Sequence, residues 1–380
     1  MSATRSRGLA QMRTGWLIAV LSVIAVAVVA VLSGVLIAAT GGSPSDSLDA
    51  VVKGSIGSQS SWSTTLLNAA PLLIVAVGSC ICARAGTFNI GQEGQVLIGA
   101  MAAAAVTIKM DLVGPAALGV ALLAAAVAGG AWASLSSLML KIGGVNIVVS
   151  TLLMTFVAQQ LITYAVNTSW FLQEKKISYA TPAPESDQIP SGARLRSFGN
   201  YPNLQLNVGL FIALALAVLA AVVMYRTRWG FRLKMVGLNP FVARHAGIRV
   251  AGLAALALAI SGAFSGLAGA VLVASPVGNF RLQPGTSHMF GWDGLLVALV
   301  ARDRPLVAVP FALLFGVLRS GGNFIAATGV PSFIVDVVKA LLVLAFVAPP
   351  ALAKMMQRRA SASRAAVVEQ PAPTLEGAAA

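Results

Sequence analysis

Apolar residues fall in long blocks along this chain, separated by shorter polar stretches, and the blocks can be measured against a bilayer. A helix rises about 1.5 Å per residue and the hydrocarbon core is about 30 Å thick, so one crossing takes about 20 apolar residues. Ten blocks are candidates, several of them shorter than a full span: Trp16–Ala39, then 64–83, 96–108, 116–140, 147–166, 208–225, 251–274, 295–301, 306–318 and 333–347. The pattern predicts an all-α membrane protein of about ten transmembrane helices. The first block, at 24 residues, is too long for the core of a signal peptide and reads as an anchor. Residues 1–15 ahead of it form a basic cytoplasmic segment, and 16–353 form the transmembrane region. The cytoplasmic tail 354–380, ending in prolines and many alanines, reads as disordered.

Composition excludes most alternatives. Apolar types make up 57% of the 380 residues and charged types only 10%, against roughly 25% in soluble domains. So few charges cannot cover a water-soluble surface of this size, which excludes a soluble enzyme, and the apolar content excludes disorder. The only two cysteines, Cys80 and Cys82, exclude a disulfide scaffold and read as small packing residues inside an apolar block. Bases outnumber acids 26 to 12, for a net charge of +14. With the N-terminus inside, ten crossings bring the C-terminus back inside. Inner segments then hold 17 of the bases and outer segments 8, with Lys339 inside the last block. The surplus is an orientation signal rather than a nucleic-acid surface, and nucleic acid is not an expected partner.

The short blocks carry more information than the long ones. Before Val96 the chain reads Arg84-Ala-Gly-Thr-Phe-Asn-Ile-Gly-Gln-Glu-Gly-Gln95, and before Leu295 it reads Gln283-Pro-Gly-Thr-Ser-His-Met-Phe-Gly-Trp-Asp-Gly294. Each places Gly-x-acid-Gly at the mouth of a short apolar helix, Gly91, Glu93 and Gly94 in one and Gly291, Asp293 and Gly294 in the other. Five crossings separate the two, so they point in opposite directions, which predicts an inverted repeat of helices 2–5 and 7–10 with broken helices. Two readings of the acids stay open. Each satisfies free N–H groups in its own first helical turn. Alternatively, unwound backbone with Asn89, Gln92 and Glu93 lines a polar translocation path, to which Asn146 and Gln159 are further candidates. Asp336 and Lys339, three apart in the last block, are expected to neutralise each other.

The cytoplasmic loop 226–250 holds six bases and no acid. Within it, Gly237-Leu-Asn-Pro-Phe-Val-Ala-Arg-His-Ala-Gly-Ile248 carries a start signal, Asn239 followed by Pro240, and a stop signal, Gly247. A helix of about two turns is unstable alone. It is expected to dock into a partner.

The segments Arg84 to Gly99 and Gly237 to Ile248, with Ser261-Gly-Ala-Phe-Ser-Gly-Leu-Ala-Gly-Ala270 and Ala298-Leu-Val-Ala-Arg-Asp-Arg-Pro305, resemble the permease subunits of bacterial ABC importers. The group is that of branched-chain amino acid, simple sugar and nucleoside systems. Phe-Asn-Ile-Gly-x-Glu-Gly is most similar to the nucleoside branch, whose importers depend on a basic membrane protein lipoprotein. The resemblance spans roughly residues 64–349 and departs from the family pattern at Ile147 and Thr155, where relatives often carry Glu and Asn. It implies a multi-pass protein of the bacterial cytoplasmic membrane that carries nucleosides, or else simple sugars or branched-chain amino acids. Its implied partners are an ABC ATPase subunit, a second identical or homologous permease, and an extracytoplasmic substrate-binding lipoprotein. It also makes the loop helix the coupling helix, with Gly237, Asn239, Pro240, Ala243, Arg244 and Gly247 facing the ATPase.

No Gly-Lys pair occurs, so the chain has no Walker A loop to cradle a nucleotide phosphate. The only histidines, His245 and His288, stand apart in an inner and an outer segment. No catalytic residue, metal site or cofactor is expected. An ion-coupled secondary transporter would also have inverted repeats, but it needs no capped loop helix and usually places an ionisable residue mid-helix. The outer loop 167–206 is long enough to meet a binding protein, and its length fits a passive connection equally well.

Overall fold

Every apolar block forms a helix in the computed structural model, which describes residues 2–110, 115–175, 184–198, 204–325, 328–331 and 333–368. In chain order the first helices are α1 (Ser2–Ala39), α2 (Pro44–Ser55), α3 (Gln59–Arg84), α4 (Gln92–Lys109), α5 (Pro115–Gly143) and α6 (Ile147–Asn167). After the outer loop come α7 (Val208–Arg226), α8 (Arg228–Leu238), α9 (Pro240–His245), α10 (Val250–Val273), α11 (Phe290–Val300), α12 (Ala308–Ile325) and α13 (Phe333–Val368). Thirteen α-helices are thus present among the described residues. The strands described are two residues long each, β1 (Ser197–Phe198) and β2 (Leu206–Asn207), paired antiparallel.

Among the described residues eight helices, α1, α3, α5, α6, α7, α10, α12 and α13, are long and apolar enough to cross a membrane. The other two blocks fall short for a visible reason. α4 opens with Gln92, Glu93 and Gln95, and α11 has only 11 residues, about 16 Å of helix or half a hydrocarbon core. Both begin at the Gly-x-acid-Gly breaks. α13 continues to Val368, into the segment 354–380 that the sequence reads as a disordered tail. Residues 354–368 hold four Ala, three Arg and two Met, all good helix formers. Residues 369–380 lie outside the described part.

The chain divides into two units. One holds α1 with the chain to Pro44, and α13 from Asp336 onward. Within it Lys339 Nζ lies 2.8 Å from Asp336 Oδ1, the i,i+3 pair expected from sequence. The pair neutralises a lysine whose side chain is only 6% exposed.

The other unit, Ser45–Val335, is built around α10, which packs on α3, α4 and α5. Between membrane helices, small residues let backbones approach, since lipid supplies no hydrophobic drive for association. The motif 261–270 does this. A methyl group on Gly266 would lie 2.1 Å from the Ala125 carbonyl of α5, and one on Gly269 would lie 2.1 Å from the Val96 carbonyl of α4. Alanines of α4, α5, α6 and α10 fill the core beside them. Cys80 and Cys82 are free thiols, both buried.

The outer loop is folded onto this unit: Leu172, Ile189 and Ala193 join the same core. Arg281 Nη1 lies 2.5 Å from both Glu174 Oε1 and Glu185 Oε1, tying the loop to the segment that leads into α11. The Lys176 region of this loop lies outside the described residues.

Candidate substrate path and coupling surface

The two breaks touch each other. Gly291 sits so close to the α4 start that a Cβ there would fall 2.3 Å from the Glu93 Cα. The Glu93 carboxylate accepts the backbone N–H of Gly291 at 2.7 Å, that of Met289 at 3.1 Å, and the Ser287 hydroxyl. The acid therefore caps the start of α11 rather than its own helix. The reason is geometric: N-termini of helices leave unpaired N–H groups and a positive dipole end, and the nearest buried anion satisfies both.

Asp293 has a different partner. Arg319 of α12 reaches its Oδ2 at 3.1 Å, donates to the His288 carbonyl at 2.6 Å, and stacks over the Phe290 ring at 3.8 Å. The apolar block ends at Leu318, which puts Arg319 in an outer segment. The structure instead places it inside α12 with its side chain 16% exposed. An arginine directly abutting an apolar run was the available signal. Desolvating it requires a partner, and Asp293 is that partner.

Asn89, Gln92 and Glu93 are brought together, all buried. Asn89 Nδ2 donates to Gln95 Oε1 at 2.8 Å and to Ser261 Oγ at 3.0 Å, and Gln95 Nε2 returns a bond to Asn89 Oδ1 at 3.0 Å. Gln92 Nε2 donates to Ser79 Oγ at 2.5 Å, while Gln92 Oε1 is buried with no partner among the described residues. A small cavity of about 10 Å³, lined by Ser79, Thr87, Asn89, Gln92 and Asp303 among others, adjoins these groups. That is room for about one water. Ser79, Gln95 and Ser261, each a polar residue in a helix, and Ser287, in the turn before α11, are site residues that the sequence does not single out, because a Ser or Gln signals nothing until its neighbours are known.

The remaining path candidates lie apart. Asn146 is exposed and caps α6, its Oδ1 accepting the Val148 N–H at 2.8 Å. Gln159 is on the exposed side of α6, whose buried side carries Thr151, Thr155 and Ala158. That buried side packs on the α4 break: a Cβ on Gly91 would fall 2.5 Å from the Thr151 carbonyl, and one on Gly94 would fall 2.8 Å from the Thr155 Cα.

The loop helix has the ends its sequence specifies. Asn239 Oδ1 accepts the N–H groups of Phe241 at 3.0 Å and Val242 at 3.1 Å, and Pro240 occupies the first turn. At the other end Gly247 adopts φ +78°, and the Ile248 N–H reaches the Ala243 carbonyl while the Gly247 N–H reaches the Arg244 carbonyl. This is a Schellman ending, which needs a residue without a Cβ penalty at the left-handed position. Ala243 is buried, whereas Phe241, Val242, Arg244 and His245 are exposed. Gly237 packs against the end of α3, where a Cβ would meet the Arg84 carbonyl at 2.3 Å.

Eight candidate spans among the described residues, broken helices meeting at a buried polar cluster, and a capped helix displayed on a basic loop define a multi-pass membrane transport component. Residues 61–348 match the family described as branched-chain amino acid transport system / permease component, and the chain belongs to that family. Among its relatives, the glucose ABC transporter permease protein TsgB13 of Haloferax volcanii is 32% identical over 339 residues, covering 87% of each chain. The nucleoside ABC transporter permease protein NupB of Lactococcus lactis is 28% identical over 316 residues, covering 82% of this chain and 85% of the relative. The guanosine ABC transporter permease protein NupP of Bacillus subtilis is 32% identical over 290 residues, covering 74% and 79%. The chain is thus an ABC importer permease, a component that is not catalytic and that works with ATPase and binding-protein partners.

Proposed function

We propose that this permease carries nucleosides. The observation that carries the reading is the buried cluster of Asn89, Gln92, Gln95, Ser79 and Ser261 at the α4 break, with the unpartnered Gln92 carbonyl beside it. Amides match the donor and acceptor edges of a base, and hydroxyls match a ribose. Support comes from the relatives named for nucleoside and guanosine transport. Hexose transport is the second reading, favoured by the 32% identity over 87% of the chain to a glucose permease. The deciding measurement is uptake of labelled guanosine and labelled glucose by vesicles containing the complete transporter. Guanosine uptake that excess uridine reduces and excess glucose does not is the expected result. The reverse pattern overturns the nucleoside reading.

In the same reading two permease chains line one pathway, α9 of each docks into an ATPase subunit, and a substrate-binding lipoprotein delivers the solute from outside. The exposed Phe241 and Val242 supply apolar contact for that docking. Ten crossings with both termini inside, and an inverted repeat relating helices 2–5 to helices 7–10, account for the two short helices that start at matching motifs. Cysteines at Ser58 and Gln188, in a background lacking Cys80 and Cys82, should then react with an impermeant thiol reagent from outside, and cysteines at Lys234 and Ser361 should not. External labelling at Ser361 would remove the even number of crossings and the repeat with it.

A further inference from the structure

An open groove of about 440 Å³ lies between the end of the loop helix and the start of α10. Arg232 of α8, Ile248 and Arg249 of the connecting turn, and Gly252, Leu253 and Leu256 of α10 line it. Two guanidiniums and three aliphatic side chains thus share one concavity. Among the described residues neither arginine has an acid within ion-pair distance, and the whole stretch 226–249 contains none. The groove therefore calls for an anionic occupant, and its volume is many times the roughly 30 Å³ of a water.

Position narrows the choice. Gly252, Leu253 and Leu256 belong to the first two turns of α10, itself a candidate membrane span, so the apolar wall lies where a bilayer begins. α8, leading in, is built for the same boundary. It buries Gly230, Leu233 and Val236 on one face and exposes Phe231, Leu238, Arg232 and Lys234 on the other. An outward face mixing aromatic, aliphatic and basic side chains is the composition of an interfacial helix. Basic pockets between membrane helices at this level suit lipid headgroups, and a guanidinium suits phosphate through paired N–H donors.

We propose that this groove binds an anionic phospholipid. Arg232 and Arg249 hold its phosphate, and Ile248, Leu253 and Leu256 take the glycerol and the top of an acyl chain. A soluble phosphate has no use for the aliphatic wall. Gly247, at the end of α9, also borders the groove, so an ATPase docked on α9 is the rival occupant, and the aliphatic wall on the first two turns of α10 favours the lipid. The site is independent of which solute the permease carries.

The test uses the complete transporter in phosphatidylcholine nanodiscs doped with photoactivatable phosphatidylglycerol carrying a diazirine near the acyl carbonyl. Irradiation should label the peptide containing Ile248, Leu253 and Leu256. A phosphatidylcholine analogue should label it at least about 5-fold less, and unlabelled phosphatidylglycerol should compete. Removing one arginine (Arg232→Gln or Arg249→Gln) should weaken labelling about 5-fold and removing both about 30-fold, from the usual contribution of a basic residue near an anionic leaflet. Equal labelling by the two lipids, or undiminished labelling of the double variant, overturns the proposal. Competition by soluble glycerol phosphate as effective as by the lipid would make this a free-phosphate site instead, and groove residues that cross-link to the ATPase in place of lipid would assign it to that partner. Should the double variant fail to assemble, the comparison of the two lipids on the unaltered protein decides alone.

Discussion

The Glu93 carboxylate accepts the backbone N–H of Gly291 at 2.7 Å, joining two helix starts that lie 198 residues apart. With Met289 and Ser287 also bound to the same carboxylate, one side chain satisfies three donors that the α11 break leaves open. Arg319 closes the other side through Asp293 and the His288 carbonyl. The breaks are therefore joined to each other, and α4 and α11 meet as one element.

Glu93→Ala leaves those donors unpaired in a buried site, at about 1 to 3 kcal/mol for each group. The expected outcome is a markedly lower unfolding temperature in detergent and loss of uptake, with Glu93→Gln, which keeps one acceptor, intermediate. Gly291→Ala should be as damaging, since its methyl group would strike the Glu93 backbone. A Glu93→Ala protein as stable as the unaltered one would refute the capping role.

Asn89→Ala breaks the reciprocal pair with Gln95 and frees Ser261. Losing one such buried partner costs about 1 to 3 kcal/mol, so uptake of labelled nucleoside should fall at least about 5-fold with ATPase assembly intact. Because the two amides bond to each other, Asn89→Ala and Gln95→Ala should be non-additive in a double-mutant cycle. Normal transport by Asn89→Ala and Gln92→Ala, alongside misfolding of Gly91→Val, would make the break purely structural and move the substrate contacts to Asn146 or Gln159 on the exposed side of α6.

Gly247→Pro removes the N–H that bonds to the Arg244 carbonyl and imposes a negative φ where +78° is needed. Substrate-stimulated ATPase activity of the reconstituted complex should be abolished while the permease still inserts. Arg244→Glu should have the same effect by reversing an exposed charge on α9. Asn239→Ala, which removes the cap alone, should destabilise the helix by about 1 kcal/mol and reduce stimulation only in part. Full stimulation in the Gly247→Pro complex would separate α9 from coupling.

Asp303, in the turn between α11 and α12, is raised by burial from the usual 3.8 to about 6. Between those values the folded chain holds a proton that the unfolded chain has released, so this residue's contribution to stability falls as pH rises through that window and stays low above it. Asp303→Asn, which mimics the protonated carboxyl, should raise the unfolding temperature at about pH 7.5 and leave it near that of the unaltered protein at about pH 4. The same gain at both values would show that the carboxyl is not titrating there.

Local physics made much of this protein legible in advance. Whether a block can span a bilayer depends on its own length and polarity, so the eight candidate spans and the shorter α4 and α11 were legible, whereas α2 and α8, too polar to register as apolar blocks, were not. The α9 ends were legible because Asn239 and Gly247 bond within a few residues, and the Asp336–Lys339 pair because one helical turn brings them together. Only the tertiary structure decided which N–H groups Glu93 satisfies, that Arg319 pairs with Asp293, and that Asn89 meets Ser261, 172 residues away. It also decided that Gln159 faces outward while Thr155, four residues earlier, is buried against Gly94. Hydropathy and capping act over a few residues and survive in any packing of the helices. Long-range partners and the face each helix turns inward depend on how small-residue surfaces such as Gly262, Gly266 and Gly269 bring the helices together, and no local pattern encodes that.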